Sequence, residues 1–213
     1  MSHSLDGAAV AAMLRSAAEL VIAKEPVLTK ADQAIGDGDH GIGMARGCKA
    51  ALAALDGIGD ATTPKAAFIA VGRAILASTG GAAGAVFGTF FQATGKAIAA
   101  DSVDREGLAF AFDEGAKAVM TRGKAKPGDK TMLDAVLPAI ESLRDGGDAD
   151  FAVLGQRAAA AARRGAKATA NMVAGTGRAK MLGQRAVGHP DPGALSVSFL
   201  FEGMAISLAG HGQ

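Results

Sequence analysis

The sequence has no tryptophan, no tyrosine and a single cysteine, Cys48, in 213 residues. One cysteine excludes an internal disulfide and every cysteine-built metal centre. Neither sign of charge dominates: 22 lysines and arginines stand against 21 aspartates and glutamates, a formal net charge of +1, and no basic run marks one face. Nucleic acid is therefore a poor partner for this chain. Nothing at the N-terminus reads as a secretory leader, because Asp6 and Gly7 interrupt the start and no basic region precedes an apolar core. The stretch from Ala74 to Gly95 carries no charge and is about long enough to cross a bilayer. Its five glycines, with Ser78, Thr79 and Gln92, would make a weak span. It reads as a buried loop and helix, and the chain as a cytoplasmic protein with no membrane partner.

What the chain does have is alanine. Apolar residues make up 49% of it, most of them small, and alanine is the best helix former because it has no side-chain entropy to lose. The fold class expected is all-α. The length suits a single domain over residues 1–213, able to bury roughly 70% of its unfolded surface.

Periodicity places the helices. Val10, Met13, Leu14, Ala17 and Val21 recur at three- and four-residue steps, predicting a helix from about Asp6 to Glu25 that Pro26 ends. A polar loop from Leu28 to His40 follows, then a helix over Gly41 to Leu55. Thr63-Pro64 starts a third, an N-cap hydroxyl with proline at the first helical position, which breaks at Gly80-Gly81. Others run to about Ala100, from Asp104 to Thr121, from an Asp129 cap through Leu133 to Leu143, and from Asp148 or Asp150 to Met172. A glycine-spotted loop from Val173 to His189 precedes the last helix, which Asp191-Pro192 opens. This makes about eight helices and no convincing strand.

Three loops between these helices carry more polar chemistry than connectors need. The first places Asp32, Asp37 and Asp39 within eight residues, and clustered carboxylates repel unless a cation sits among them. Magnesium takes oxygen ligands and is commonly shared between one or two carboxylates and phosphate groups. An EF-hand beginning at Asp37 fails at Gly41 and Cys48, where oxygen ligands are needed; a solvated acidic turn is the plain alternative. The second loop, Ser78-Thr-Gly-Gly-Ala-Ala-Gly84, leads into a helix whose N–H groups suit an anion, although it lacks the Gly-Lys-Ser/Thr ending of a Walker A loop. Glycines at a close helix crossing would look the same. The third runs from Gly177-Arg178 to Gly193. Arg178 is either a surface charge or a group that stabilises charge on a transferred phosphoryl. Lys130 is either similar or an exposed lysine at a helix start. His40 and His189 either donate to phosphate or pack and cap.

In order along the chain, Ile35-Gly-Asp-Gly-Asp-His-Gly41, Gly80-Gly-Ala-Ala-Gly84 with Phe87-Gly-Thr-Phe-Phe91, Gly128-Asp-Lys-Thr-Met132, Gly177-Arg-Ala179 and Gly188-His-Pro-Asp-Pro-Gly-Ala194 resemble the L subunit of the dihydroxyacetone kinases. The resemblance spans nearly the whole chain. It implies a barrel of eight antiparallel helices with ATP or ADP at one rim. It implies two magnesium ions held by Asp32, Asp37 and Asp39, and a nucleotide surrounded by His40, Gly41, Ile42, Gly43, Ala82, Ala83, Gly123, Met132, Arg178, Asp191, Pro192 and Gly193. Met132 would lie against adenine and Arg178 would serve catalysis. The implied partner is a separate K subunit that holds a small ketose on a histidine. The phosphoryl donor is either free ATP or an M subunit of the phosphotransferase system that recharges bound ADP.

The chain departs from that pattern in places. The family usually has serine where Ala83 stands, asparagine at Gly43, a Ser-Tyr pair at Lys180-Met181 and glutamine at Pro190. These changes leave the aspartates and Arg178 untouched but alter the rim that would face the ketose, so erythrulose is an alternative substrate. An alternative of another class is a nucleotide-state module that docks on a transcription regulator.

Overall fold

The computed structural model describes residues 4–59 and 62–210. Among them are nine α-helices: α1 (Gly7–Ala23), α2 (Glu25–Ile35), α3 (His40–Ile58), α4 (Pro64–Ser78), α5 (Gly81–Ala97), α6 (Arg105–Gly123), α7 (Leu133–Arg144), α8 (Phe151–Ala168) and α9 (Pro192–Gly210). The expected all-α class holds. The caps are those the sequence announces: the Asp6 carboxylate accepts from Ala9 N at 2.8 Å, Thr63 Oγ1 from Ala66 N at 3.2 Å, Asp104 from Gly107 N at 2.8 Å and Asp150 from Val153 N at 2.8 Å. Each satisfies an amide that would otherwise lack a partner in the first turn.

Four expectations need correction. The polar loop expected from Leu28 to His40 is mostly helix: α1 stops at Ala23 and α2 starts at once, with Pro26 in its first turn. Pro26 reads as a terminator at the end of an apolar period, but its fixed φ equally favours a helix start. Leu28, Asp32 and Ile35 then share the buried face of α2. Second, two short strands exist, β1 (Ser4–Asp6) and β2 (Ser102–Asp104), paired antiparallel with Leu5 opposite Val103. Three residues are too few to show a two-residue period. Third, Asp129 does not cap α7. Its carboxylate accepts from Lys126 N at 2.9 Å, and Asp134, inside the first turn, holds Gly128 N at 2.5 Å and Thr131 N at 2.8 Å. Fourth, the loop expected from Val173 to His189 contains a 3-10 stretch, Arg178–Ala186, kinked at Gly183. Only Ala186 in it is buried, so no apolar period betrays it.

The helices pack in a regular order: α1 on α3, α3 on α4, and so on through α8 on α9, with α9 returning to α1. Helix α2 stands aside against α3 and α9. Small residues permit this closeness. At Gly203 of α9 an added Cβ would fall 2.5 Å from Ala17 Cα and 2.6 Å from Ser16 O of α1. Phe68, Phe90, Phe91, Phe112 and Phe201 meet in the interior, with Phe112 5.8 Å edge-on to Phe68, 5.8 Å stacked on Phe90 and 5.5 Å from Phe201. Burying each contributes about 1.5–3 kcal/mol. By length and apolar composition α9 is one helix able to cross a membrane, but here it is a core helix lying between α1 and α8. Ala74 to Gly95, the stretch weighed above, is two helices broken at Gly80.

With helices packed in chain order, alternate connections fall at the same end. The connections α2–α3, α4–α5, α6–α7 and α8–α9 all contribute to one cleft.

Candidate functional site

The cleft has a volume of about 540 Å³, within the usual range for a small-molecule site. One side is acidic. Asp32 comes from the buried face of α2, and Asp37 and Asp39 from the turn after it. One carboxylate oxygen from each lies within 4.8 Å of the other two. Asp32 is only 8% exposed, and its Oδ2 accepts from His40 N at 3.1 Å, which fixes the start of α3. Arg178 reaches across to pair with Asp37, with Asp39 Oδ2 at 3.8 Å. A guanidinium paired with two of the three carboxylates marks the cluster as a place for a cation. Hard oxygen donors at this spacing fit magnesium.

The loop before α5 borders the same space. Gly80 and Gly81 have φ of +80° and +57°, a conformation glycine adopts without a Cβ penalty. Nothing lies within 4 Å of where a Cβ on Gly81 would be, so this helix start is open to an anion. Arg46, from α3, donates to the carbonyls of Ser78 and Thr79, both at 2.6 Å, and secures the end of α4. The apolar side is made by Val86, Ala125 and Gly123, where a Cβ on Gly123 would lie 4.0 Å from both neighbours. Met132 is 4% exposed and lies against Gly193.

Of the residues expected to surround a ligand, His40, Ile42, Gly43, Ala82, Ala83, Gly123, Met132, Arg178, Asp191, Pro192 and Gly193 line the cleft, as do Asp32, Asp37 and Asp39. Gly41 does not. It is buried against α2, where a Cβ would meet Thr29 N at 2.5 Å and Glu25 O at 2.6 Å, so its smallness serves helix packing. Gly43 faces Thr79 O, 3.1 Å from a would-be Cβ; any larger residue there would need the end of α4 to yield. His189 is exposed and contributes its carbonyl. His40 Nε2 lies 2.8 Å from Ser196 Oγ. Burial pushes its imidazole below the ordinary value, against the pull of the Asp32 carboxylate and the Pro192 carbonyl, so it is neutral at pH 7.

Sequence reasoning missed Arg46 and misjudged Lys130. Arg46 lies in a plain helical run. Lys130 was read as an exposed or phosphate-reaching lysine, yet it is 2% exposed and donates to Thr169 O at 2.5 Å and His189 O at 2.6 Å. Its φ of +61°, which nothing in the sequence signals, turns it inward.

Asp191 caps α9, accepting from Ala194 N at 2.7 Å. Burial, with the charges of Asp134 and Asp32 nearby, pushes its carboxyl up to about 7, although the Ala194 amide and Lys130 favour the ionised form. The unfolded chain ionises near the ordinary value of 3.8, so between about pH 4 and 7 the unfolded state has lost a proton that the folded state keeps. The contribution of Asp191 to stability falls with rising pH across that window and levels off above it. In chelator and without nucleotide, Asp191→Asn, which keeps a good cap, is expected to gain on the wild type from pH 4 to 7. The gain should approach about 4 kcal/mol. Parallel denaturation curves at pH 4 and 7 would disprove the assignment.

Comparison with known proteins gives the family. The DAK2 domain family matches residues 34–206. The chain is 42% identical over 185 residues to the PEP-dependent dihydroxyacetone kinase, ADP-binding subunit DhaL, of Escherichia coli (strain K12), covering 84% of this chain and 87% of that one. It is 34% identical over 201 residues to an L-erythrulose 1-kinase of Mycolicibacterium smegmatis, covering 93% of this chain but 35% of the kinase. Among solved structures, the dihydroxyacetone kinase of C. freundii in complex with AMP-PNP and Mg2+ superposes with a TM-score of 0.70 at 27% identity, over 93% of this chain and 33% of that one. The chain thus spans most of the DhaL protein and about a third of the other two. On the extent of the match and the order of its motifs, this chain belongs to the DAK2 domain family.

Proposed function

We propose that this chain, acting over residues 1–213 as one domain, is the ADP- or ATP-binding L subunit of a dihydroxyacetone kinase. As a phosphotransferase subunit it passes a phosphoryl group to a small ketose held on a separate K subunit. The observation that carries this is the three-aspartate cluster opposite an open helix start in one cleft, in a chain matched along most of its length by an ADP-binding subunit. The packing order that returns from α9 to α1 supports a closed barrel of eight antiparallel helices with α2 outside. Buried, unpaired Cys48 suits the reducing cytoplasm.

Asp32, Asp37 and Asp39 would hold magnesium, two ions in our reading, and the metal would neutralise charge on the phosphate oxygens of the nucleotide. The chain supplies the rest. Amides at Gly81 to Ala83 face the phosphates at the start of α5, compensating for the hydroxyl that Ala83 lacks. Val86, Gly123, Ala125 and Met132 offer the base an apolar surface that Met132 can adapt to. Neutral His40, its ring held by the Pro192 carbonyl and Ser196 Oγ, lines the site without adding charge. Arg178 exchanges Asp37 for the phosphoryl group in transfer, and its side chain, 60% exposed, stands where a K subunit must dock. Positioning and charge stabilisation carry the catalysis, with no phosphorylated residue on this chain.

Combined with a K subunit and dihydroxyacetone, the chain is expected to support phosphorylation, either with Mg-ATP or with bound ADP recharged by an M subunit of the phosphotransferase system. Arg178→Ala should lower turnover by about 100-fold or more while weakening Mg-ADP binding far less. Silence with both donors would refute the kinase reading and leave a regulatory module. Erythrulose is the second substrate to try, since erythrulose kinases are among the relatives and Met181, on the altered rim, is 89% exposed.

A further inference from the structure

A lysine almost wholly removed from water is rare unless its charge is matched. Lys130 sits in the left-handed region between Asp129 and Thr131 and lines the cleft, and its ammonium donates to two backbone carbonyls. Those carbonyls are not neighbours in sequence. Thr169 closes α8, and His189 stands two residues before the cap of α9. Further bonds converge on the same point. Thr169 Oγ1 accepts from Asp191 N at 2.8 Å and donates to Ala166 O at 2.6 Å, and Gly188 N donates to Ala170 O at 2.7 Å. Next to Lys130, Asp129 O accepts from Gly175 N at 3.0 Å, on the segment leading to Arg178.

We propose that Lys130 is a positioning residue for the nucleotide: by holding the Thr169 and His189 carbonyls together it sets where Asp191, Pro192 and Gly193 stand in the cleft. This rests on the nucleotide-binding reading and adds a residue that acts through the loop it holds. Hydrogen bonds from a charged donor are stronger than neutral ones, and a buried ammonium must keep its acceptors. The loop between α8 and α9 is thereby drawn down onto the 128–132 turn, and the lysine presents its charge to Asp191 from inside the fold. The residues it sets in place border the bound nucleotide and not the group in transit. Losing it should therefore weaken binding equally in ground and transition states, which raises KM and spares kcat.

The test is steady-state kinetics with a K subunit, together with Mg-ADP titration of the free chain well below its melting temperature. Lys130→Met, which keeps the stem and removes the charge, should raise the KM for ATP and the Kd for Mg-ADP by 10-fold or more, with kcat within about 3-fold. Thr169→Val, which removes the hydroxyl that Asp191 N donates to, should reproduce the split, and Thr169→Ser should restore wild-type values. If Lys130→Met does not fold, the two Thr169 variants decide. Variants that melt lower but keep wild-type KM and Kd would make Lys130 a purely structural tie and overturn the proposal. A wild type that does not bind Mg-ADP would remove the nucleotide reading itself, a different outcome from the first.

Discussion

Asp37→Ala is expected to weaken Mg-ADP binding by at least 100-fold while moving the melting temperature of the nucleotide-free chain by no more than about 3 °C. The two effects separate because Asp37 is 48% exposed and its pairing is with Arg178, itself 60% exposed. Exposed pairs contribute about 0.2–1 kcal/mol, and each kcal/mol moves the melting point of a domain this size by about 2–4 °C. Removing one of three carboxylates that lie within 4.8 Å of one another also relieves repulsion, so the apoprotein has little to lose. A divalent ion loses one of the three carboxylates that would hold it. Unit charges 4 Å apart interact by about 4 kcal/mol at an effective dielectric of 20, and 100-fold requires about 2.8 kcal/mol. Isothermal titration with and without magnesium is the measurement. Binding that ignores either the mutation or the metal would mean that the acidic cluster is a solvated turn.

The largest expected loss of stability comes from a change of one methyl group. Gly165 of α8 lies so close to α7 that an added Cβ would overlap Asp134 O and come within 3.0 Å of Ala135 Cα. Both are backbone, so no side chain can rotate away and the two helices must part. Gly165→Ala should cost about 2 kcal/mol or more, the overpacking penalty outweighing the roughly 1 kcal/mol that alanine brings to a helix. The damage should reach the cleft, because Asp134 holds the amides of Gly128 and Thr131 just before Met132. Nucleotide affinity should fall with stability. Gly57→Ala is the control: no atom lies within 4 Å of its would-be Cβ, and it should leave stability unchanged or raise it by about 0.5–1 kcal/mol. Equal melting of the two variants would show that the contact between α7 and α8 yields freely.

Much of this was legible beforehand, and the limits have physical causes. Long helices with an apolar stripe and an aspartate or threonine before them, such as α1, α4, α6 and α8, are visible because cap and period agree. Helix α2 is hidden because its polar residues mask a three-residue buried face, Leu28, Asp32 and Ile35, and because one of the three is an aspartate, a residue type that reads as loop. The strands were too short for any period. At the cleft, clustered aspartates and paired glycines stand out in the sequence although each also has a plain structural use, and the fold brings them to one cleft. Lys130 could not stand out, since its burial depends on a backbone turn and on carbonyls 39 and 59 residues away. Gly41 enters the expected ligand set only through the resemblance; its would-be Cβ faces α2, and a sequence does not show which side of a helix start is already filled.

The alternation of connections also divides what is free to change from what is not. Every loop bordering the cleft lies at one end of the helices, while the turn from Arg144 to Phe151 joins α7 to α8 at the other and is largely exposed. Insertions there can lengthen or decorate the protein without displacing a single cleft residue, whereas one residue added between Ile35 and His40 would shift two of the three aspartates. Evolution can therefore remodel the far end for new company while the chemistry stays in place, and an engineer seeking a site for a label or a tether has the same freedom.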